Sequence, residues 1–208
     1  MAIDTNLRFL KEYWSNNKDT GSVVPDSAAL VDALLKHASF GKARLIVEYG
    51  PASGAVTREI IKRMDAKAVF VCVEKNGRFY AELAKNVSGE NVVLIHDDAL
   101  SWARHSAGRS GIRGRDVDCI ISTLPCSSMD FESFLSASVL PLLKKDGVFV
   151  QYMHTLSFLK GFRLHPILAR HFTAVGSELV LSNLPPTLVY TSSGVLGAGK
   201  NSLAIPAR

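Results

Sequence analysis

The sequence has few cysteines, and their positions exclude several classes of protein. Cys72, Cys119 and Cys126 are the three present, none forms a C-x-x-C pair, and the first two lie in apolar runs. We therefore expect neither a disulfide-rich secreted domain nor a zinc site built on paired cysteines. The histidines are also scattered without the spacing of metal ligands, so we expect no metal site. Reduced thiols in a core would fit a cytoplasmic protein.

Long apolar runs are missing as well. No stretch approaches the ~18 residues needed to cross a bilayer, and we expect neither a membrane-spanning helix nor a signal peptide. With 208 residues, 47% of them hydrophobic, the chain can form one domain with a complete core. Its 24 basic and 19 acidic residues give a net charge of +5. That charge is compatible with phospholipid or nucleic acid as a partner and is specific for neither.

What the sequence does contain is an alternation of strand-like and helix-like segments. Apolar strand patterns are separated by amphipathic helical patterns, which predicts βαβ units and a parallel sheet. Near the end, two more strands are joined at Pro185-Pro186, a connection short enough to permit only an antiparallel pair. Beyond the first strand at 45–47, the predicted strands are 67–74, 91–95, 116–122, 147–153, 177–183 and 187–191, and the main predicted helices are 55–64, 77–86 and 129–143.

The most informative segment is RLIVEYGPASGAVT, residues 44–57. Its pattern predicts a buried strand, then a loop of small residues, then the start of a helix. Many α/β proteins bind a nucleotide-like ligand with this arrangement. Ala52 and Ala55 occupy the second and third glycine positions of a dinucleotide fingerprint, which argues against that ligand. The remaining pattern, E-x-G-x-x-x-G, resembles motif I of class I S-adenosylmethionine-dependent methyltransferases.

Two acidic residues follow the next two strands, where open α/β sheets bind their ligands. Glu74 could accept hydrogen bonds from both ribose hydroxyls, and Asp98 could accept one from the adenine amino group. Each acid alone could instead be a solvated carboxylate or a helix cap. The predicted contacts to S-adenosylmethionine are Ser22, Glu48, Tyr49, Gly50, Ala52, Gly54, Glu74, Lys75, Asp98, Ala99 and Ser122.

Four segments together resemble the bacterial phospholipid N-methyltransferases: TGSVVPDS, VEYGPASGAVT, ISTLP and NLPPTLVY. That family methylates the amine of phosphatidylethanolamine and is related to the ribosomal RNA adenine dimethyltransferases. The resemblance covers residues 7–190. It implies a Rossmann-like class I methyltransferase fold of the α/β class, with a mostly parallel seven-stranded sheet ending in an antiparallel hairpin. The predicted division is an N-terminal amphipathic helix and loop (1–24), a methyltransferase domain (25–192) and a flexible tail (193–208).

By the same resemblance, the loop after the fourth strand should face the methyl group and form the catalytic site. The RNA enzymes have an N-L-P-aromatic loop, in which Asn holds the target amine and the ring stacks on the base. Here Thr123 replaces the Asn and Cys126 replaces the ring, which removes a stacking face worth about 1–3 kcal/mol per base. The loop therefore favours a lipid amine. The predicted catalytic residues are Ser122, Thr123, Leu124 and Pro125. An RNA adenine N6-methyltransferase and a non-catalytic cofactor- or lipid-binding protein remain alternatives.

The N-terminal segment has the pattern of an amphipathic helix. Leu7, Leu10 and Trp14 share one side, while Arg8 and Lys11 lie on the other, as in helices that bind anionic membrane surfaces. The same stripe could instead pack on the sheet as a lid over the cofactor. With the resemblance, we expect a phospholipid substrate, no nucleic-acid partner, and peripheral association with the cytoplasmic side of the inner membrane. The basic segment 104–115 could contact phosphates or be a solvated loop.

Overall fold

The structure, a computed structural model, describes residues 27–196 except 39, 110–115, 160 and 184. The predicted N-terminal helix and most of the predicted tail lie outside these residues. The strands are β1 (Leu45–Tyr49), β2 (Val69–Glu74), β3 (Val92–His96), β4 (Val117–Ser122), β5 (Leu143–His154), β6 (Phe172–Val180) and β7 (Thr187–Val195). The helices are α1 (Ala28–Leu35), α2 (Ala55–Arg63), α3 (Gly77–Asn86), α4 (Ala99–Arg109), α5 (Phe131–Phe134), α6 (Thr155–Leu159) and α7 (Leu164–Leu168).

The seven strands form one sheet in the order β3-β2-β1-β4-β5-β7-β6. The first five strands pair in parallel, whereas β7 is antiparallel to both β5 and β6. This confirms the predicted architecture of a mostly parallel sheet that ends in an antiparallel hairpin. Because the order reverses between β1 and β4, a crevice opens at their carboxyl ends, which is where such sheets bind ligands.

Both faces of the sheet are covered, which explains the continuous apolar runs in its central strands. Ile46 and Val47 are adjacent in β1, point to opposite faces, and are both fully buried. Ile46 belongs to the core formed with α1 and α2, and Val47 belongs to the core that contains Trp102 and Phe134. The sheet is therefore a rigid central layer whose carboxyl edge carries the loops. No helix in the described ranges is long and apolar enough to cross a membrane.

One predicted helix is interrupted. The pattern over 129–143 predicts a continuous helix, but α5 ends at Phe134 and a π-helical turn, Leu135–Val139, follows it. Ser138 in that turn is fully buried and its hydroxyl donates to the carbonyl of Ala99 at 3.1 Å. Its own carbonyl accepts a hydrogen bond from the Tyr49 hydroxyl at 2.7 Å. Hydrophobic periodicity contains no information about such long-range polar contacts. The sequence pattern therefore does not predict the π-helical turn.

Other boundaries differ by several residues. β5 begins at Leu143, so the turn predicted at 144–147 lies inside that strand, where the β4–β5 register shifts between Val117 and Cys119. β6 spans Phe172–Val180, earlier than the predicted 177–183, and β7 continues to Val195. α4 extends to Arg109, so the first part of the basic segment is helical and its remainder, 110–115, lies outside the described residues.

Candidate active site

The loop after β1 has the conformation that its small residues permit. Gly50 and Gly54 have φ values of 74° and 77°, and Ala52 between them has a φ of 47°. A Cβ on Gly50 would lie 2.8 Å from Cδ2 of Leu124, and a Cβ on Gly54 would lie 2.7 Å from Cδ2 of Leu83. Larger residues would therefore push the glycine loop away from α3 and from the loop that follows β4 (residues 122–126), which we call the acceptor loop. The glycines keep the backbone close to the crevice, as a cradle for a nucleotide-like ligand requires.

Glu74 ends β2 and is only 7% exposed. Its Oε2 accepts a hydrogen bond from the Ala52 N–H at 3.0 Å, and its Oε1 accepts one from the Asn76 N–H at 2.7 Å. The carboxylate thus connects the glycine loop to the start of α3. Each oxygen keeps further acceptor capacity, so Glu74 could still accept hydrogen bonds from ribose hydroxyls as the sequence predicts.

Asp98 follows β3 and begins α4. Its Oδ1 accepts a hydrogen bond from the Leu100 N–H at 2.9 Å, and its Oδ2 lies 3.2 Å from Nζ of Lys75. Partial burial alone would raise the pKa of Asp98, but the Lys75 ammonium and the backbone N–H groups of Leu100 and Ser101 outweigh it and lower the pKa. Asp98 is therefore a charged acceptor beside a cation. The structure brings Lys75 and Asp98 together, two residues that the sequence separately predicts to contact the cofactor.

Glu48 lies beneath the glycine loop and is fully buried. Its Oε2 accepts a hydrogen bond from the Thr57 hydroxyl at 2.7 Å and lies 3.8 Å from Sγ of Cys72. The carboxylate and burial together raise the pKa of Cys72, burial being the larger cause, so this thiol stays protonated. These contacts fasten β1 to α2 and β2. Glu48 could therefore support cofactor binding indirectly, by fixing the position of the strand that leads into the glycine loop.

The remaining predicted cofactor residues take different positions. The side chain of Tyr49 is fully buried against Trp102 and Phe134, so only its backbone lies near the loop. Ala99 is partly buried at the start of α4. Ser122 is fully buried at the end of β4, the strand next to β1. Ser22 lies outside the described residues. None of these contacts to a cofactor is tested by the structure, and they stay predictions.

The acceptor loop after β4 is fastened to the glycine loop. The Thr123 hydroxyl donates to the Gly50 carbonyl at 2.5 Å, and the Thr123 N–H donates to the Tyr49 carbonyl at 3.0 Å. Leu124 is partly buried and Pro125 is exposed, so the backbone of these two residues borders the open edge. The hydroxyl proton of Thr123 is therefore used in the hydrogen bond to the glycine loop. The hydroxyl oxygen can still accept a hydrogen bond.

Gln151 is a residue that the sequence pattern misses. It lies in β5 opposite Ser122, is fully buried, and donates from Nε2 to the Leu124 carbonyl at 2.9 Å. This bond fixes the position of a backbone acceptor in the middle of the acceptor loop. The only sequence signal was a polar residue inside the apolar run 147–153.

Cys126 does not lie on the open side of the acceptor loop. It is 2% exposed, its Sγ donates to the Tyr152 carbonyl at 3.6 Å, and burial raises its pKa to about 12. The thiol is therefore neither a nucleophile nor a stacking face. Position 126 belongs to the core instead.

A second polar group lies where β5 meets the β6–β7 connection. Asn183 accepts a hydrogen bond from the Ser27 N–H and donates from Nδ2 to Oγ1 of Thr187 at 3.0 Å. The Thr187 hydroxyl donates to the Pro185 carbonyl at 3.0 Å, so its oxygen accepts from Nδ1 of His154 at 2.9 Å. This assigns the His154 proton to Nδ1, and burial lowers the pKa of His154, so the ring is neutral near pH 7. Asn183 thus anchors the start of α1.

The residues at the carboxyl edge of the sheet fit S-adenosylmethionine as a ligand. A glycine cradle, a carboxylate at the end of β2 and a carboxylate after β3 lie along one edge, where they could hold the methionine, ribose and adenine parts respectively. Among the described residues, no group of three His, Cys, Asp or Glu side chains could hold a metal ion. The arrangement can bind a nucleoside and present it to an acceptor beside Leu124.

Comparison with known proteins identifies the class. The family model of the ribosomal RNA adenine dimethylases matches residues 15–128, more than half of the chain. The chain is similar to precorrin-6y C5,15-methyltransferase from Geobacter metallireducens GS-15, with a TM-score of 0.63 and 17% identity over 86% of this chain and 94% of that one. It is also similar to the O-methyltransferase TomG from Streptomyces achromogenes, solved in complex with S-adenosylmethionine, with a TM-score of 0.63 and 18% identity over 81% of each chain.

Spermidine synthase from Thermotoga maritima has the same fold, with a TM-score of 0.65 and 16% identity over 86% of this chain and 63% of that one. No curated protein matches the chain. At these identities the solved structures show the fold alone, and the family match supplies the activity class and the cofactor. The chain therefore belongs to the ribosomal RNA adenine dimethylase family and is an S-adenosylmethionine-dependent methyltransferase.

Proposed function

We propose that this methyltransferase transfers the methyl group to the amine of a membrane phospholipid headgroup, with phosphatidylethanolamine as the acceptor. The observation that carries the proposal is the composition of the acceptor loop. Thr123 holds the Gly50 carbonyl, and Cys126 is buried in the core. Neither residue supplies the side-chain amide that would hydrogen-bond to a flipped adenine or the aromatic ring that would stack on it.

Methylation of a headgroup amine requires few functional groups from the acceptor loop. When bound, S-adenosylmethionine supplies an electrophilic methyl group on a sulfonium. The loop must align a neutral amine with that group, exclude water and let a proton leave. The Leu124 carbonyl, held by Gln151 at 2.9 Å, is the best-fixed acceptor for an amine N–H. A carbonyl oxygen has two lone pairs, so it can accept from both donors.

RNA adenine is the second candidate acceptor. The family match over residues 15–128 supports it better than it supports a lipid amine. The net charge of +5 is compatible with either substrate. The loop composition and the family match thus point to different acceptors, and an assay of both substrates decides between them.

The test supplies methyl-labelled S-adenosylmethionine to the full-length protein with two acceptors in parallel. One is phosphatidylethanolamine in vesicles, and the other is undermethylated ribosomal RNA. We expect label in the lipid fraction, at a rate that rises with pH because only the neutral amine attacks. Gly50→Val is the inactive control, since its side chain would collide with Leu124. Label in RNA with none in lipid would establish the second candidate and refute the first.

A further inference from the structure

An apolar patch lies on the helix that follows β5. Leu156, Phe158 and Leu159 of α6 are 41%, 43% and 77% exposed, respectively. Exposed apolar residues are common as isolated side chains, but a cluster of large ones marks an interaction site more often. We call these three residues the α6 patch.

The α6 patch borders the acceptor loop. Ser157 lies within α6, and its Oγ is 2.7 Å from Oγ of Ser127 in the 3₁₀ turn Cys126–Ser128. That turn begins at the last residue of the acceptor loop, Cys126. The helix that carries the patch therefore lies beside the turn at the end of the acceptor loop.

Two further exposed leucines lie at the same end of the sheet. Leu179, near the end of β6, and Leu181, just after it, are 49% and 73% exposed. Leu179 pairs with Leu188, which pairs in turn with Met153. Side chains in one such row share a face, so Leu179 lies on the face that also carries Met153 and its core cluster. Apolar exposure at this end of the sheet thus comes from two separate elements.

A cation lies against the α6 patch, whereas the acidic residues that follow the Cys126–Ser128 turn, Asp130 and Glu132, accept hydrogen bonds from Ser133 and pair with Arg170 and His171, respectively. The Arg163 guanidinium carbon lies 3.9 Å from the centre of the Phe158 ring, and its Nη1 donates to the Phe158 carbonyl at 2.7 Å. The sequence from Thr155 to Arg170 contains no acidic residue and includes Lys160. Aromatic and aliphatic groups beside cations suit the interface of an anionic bilayer.

We propose that the α6 patch docks the enzyme on a phospholipid bilayer, with its side chains inserted at the level of the headgroups. This proposal rests on the proposed lipid substrate. A headgroup in a bilayer can reach Leu124 only if the acceptor loop faces the membrane, and insertion of α6 produces that orientation. RNA would favour a surface of cations over exposed leucines, because phosphate contacts dominate its binding.

The experiment uses the full-length double variant Phe158→Ser/Leu159→Ser. Leu196→Ser is the matched control, since Leu196 is 43% exposed and follows β7 at the opposite edge of the sheet. Co-sedimentation is measured with vesicles of phosphatidylethanolamine and phosphatidylglycerol. Methyl transfer is measured on those vesicles and on monomeric short-chain phosphatidylethanolamine. We expect vesicle binding and vesicle activity to fall about tenfold in the double variant, with monomer activity unchanged. The control should behave as the wild type.

The failures are distinguishable. Unchanged vesicle binding in the double variant would overturn the docking proposal. A parallel loss of monomer activity and thermal stability would overturn it too, because Phe158 and Leu159 would then be needed for folding and not for docking. If the wild type methylates neither lipid form, yet the double variant alone loses vesicle binding, the proposed substrate fails and the docking surface stands.

Discussion

Ala52 has a backbone conformation that costs an alanine energy. Its φ of 47° is in the left-handed region, where an L side chain crowds its own carbonyl by roughly 1–2 kcal/mol. The bond from its N–H to Glu74 at 3.0 Å helps to hold this conformation. The sequence signals the departure, because Ala52 stands where a dinucleotide fingerprint has Gly, but only the structure shows that the loop contains an alanine with a positive φ.

We predict different effects on stability for two substitutions of Ala52. Ala52→Gly should leave the free energy of unfolding within about 1 kcal/mol of the wild type, because relief of strain is offset by the greater freedom of an unfolded glycine. Ala52→Val should lower it by about 1–2 kcal/mol, because a β-branched residue tolerates a positive φ poorly. Urea denaturation measures both. Ala66→Val, at an exposed turn residue with an ordinary φ, is the control. Equal stability of the two Val variants would show that Ala52 is not strained.

Other residues show how far sequence reasoning reaches. Glu74 and Asp98 could be found because an acid at the end of a parallel strand faces the ligand edge whatever the loops do. Their backbone partners could not be found, since the hydrogen bonds of Glu74 to Ala52 and Asn76 depend on the three-dimensional path of two loops. Gln151 was missed for a related reason, because its partner Leu124 is distant in sequence.

At the scale of elements, Asp118 connects three strands at the amino edge of the sheet. Its Oδ2 accepts hydrogen bonds from the N–H groups of Arg44 and Leu45 at 2.8 and 3.0 Å, and its Oδ1 lies 2.5 Å from Nζ of Lys144. Burial alone would raise the pKa of Asp118, but the Lys144 ammonium and the two N–H groups lower it. The charged form is therefore favoured by folding.

The sign of the pH effect follows from that lowered pKa. The stabilisation by Asp118 is present above its unfolded pKa of about 3.9 and is lost as the pH falls through its lower folded pKa. Asp118→Asn should reduce the free energy of unfolding by about 1–2 kcal/mol at pH 7, and by less at progressively lower pH below about 4. Denaturation at several pH values measures this. Asp32→Asn, an exposed carboxyl paired with Arg63, should change stability by less than about 1 kcal/mol. A pH-independent effect of Asp118→Asn would contradict this assignment.

Helices and strands could be predicted from the sequence where a local pattern of residues was enough to specify them. The strands, α2 and α3 follow from apolar periodicity and from the glycine loop, and the antiparallel end follows from the length of the proline connection. The π turn after α5 was not predictable, because Ser138 is fixed by Tyr49 and Ala99, which are far away in the chain. The bulged start of β5 likewise depends on the register of β4.

At the scale of the whole molecule, several features meet at the carboxyl edge of the sheet. The candidate cofactor contacts, the acceptor loop and the α6 patch all lie there. The Ser27 N–H donates to Oδ1 of Asn183 at 3.1 Å, so α1 begins at the β6–β7 connection of the same edge. Residues 1–26 join the described structure at that point. We predict that their apolar stripe and basic side chains also contact the membrane.

The α6 patch and the basic side of the predicted N-terminal helix are two proposed membrane contacts of different chemistry, and they should respond differently to salt. Lys11→Gln should weaken binding to anionic vesicles by about 1 kcal/mol, roughly fivefold, at low ionic strength. The loss should shrink at high salt, because screening removes the attraction that the lysine supplies. The loss in Phe158→Ser/Leu159→Ser should persist at high salt, because burial of apolar surface is not screened.

The combined variant carries all three substitutions and tests whether both contacts act on one bilayer. If they are independent, their binding free energies should add within a few tenths of a kcal/mol at low salt. Lys67→Gln is the control for charge, since Lys67 is exposed just before β2, at the amino edge of the sheet. Vesicle co-sedimentation across a salt series measures every variant. If Lys67→Gln weakened binding as much as Lys11→Gln, attraction would depend on net charge alone, and the carboxyl edge would not be the face that meets the membrane.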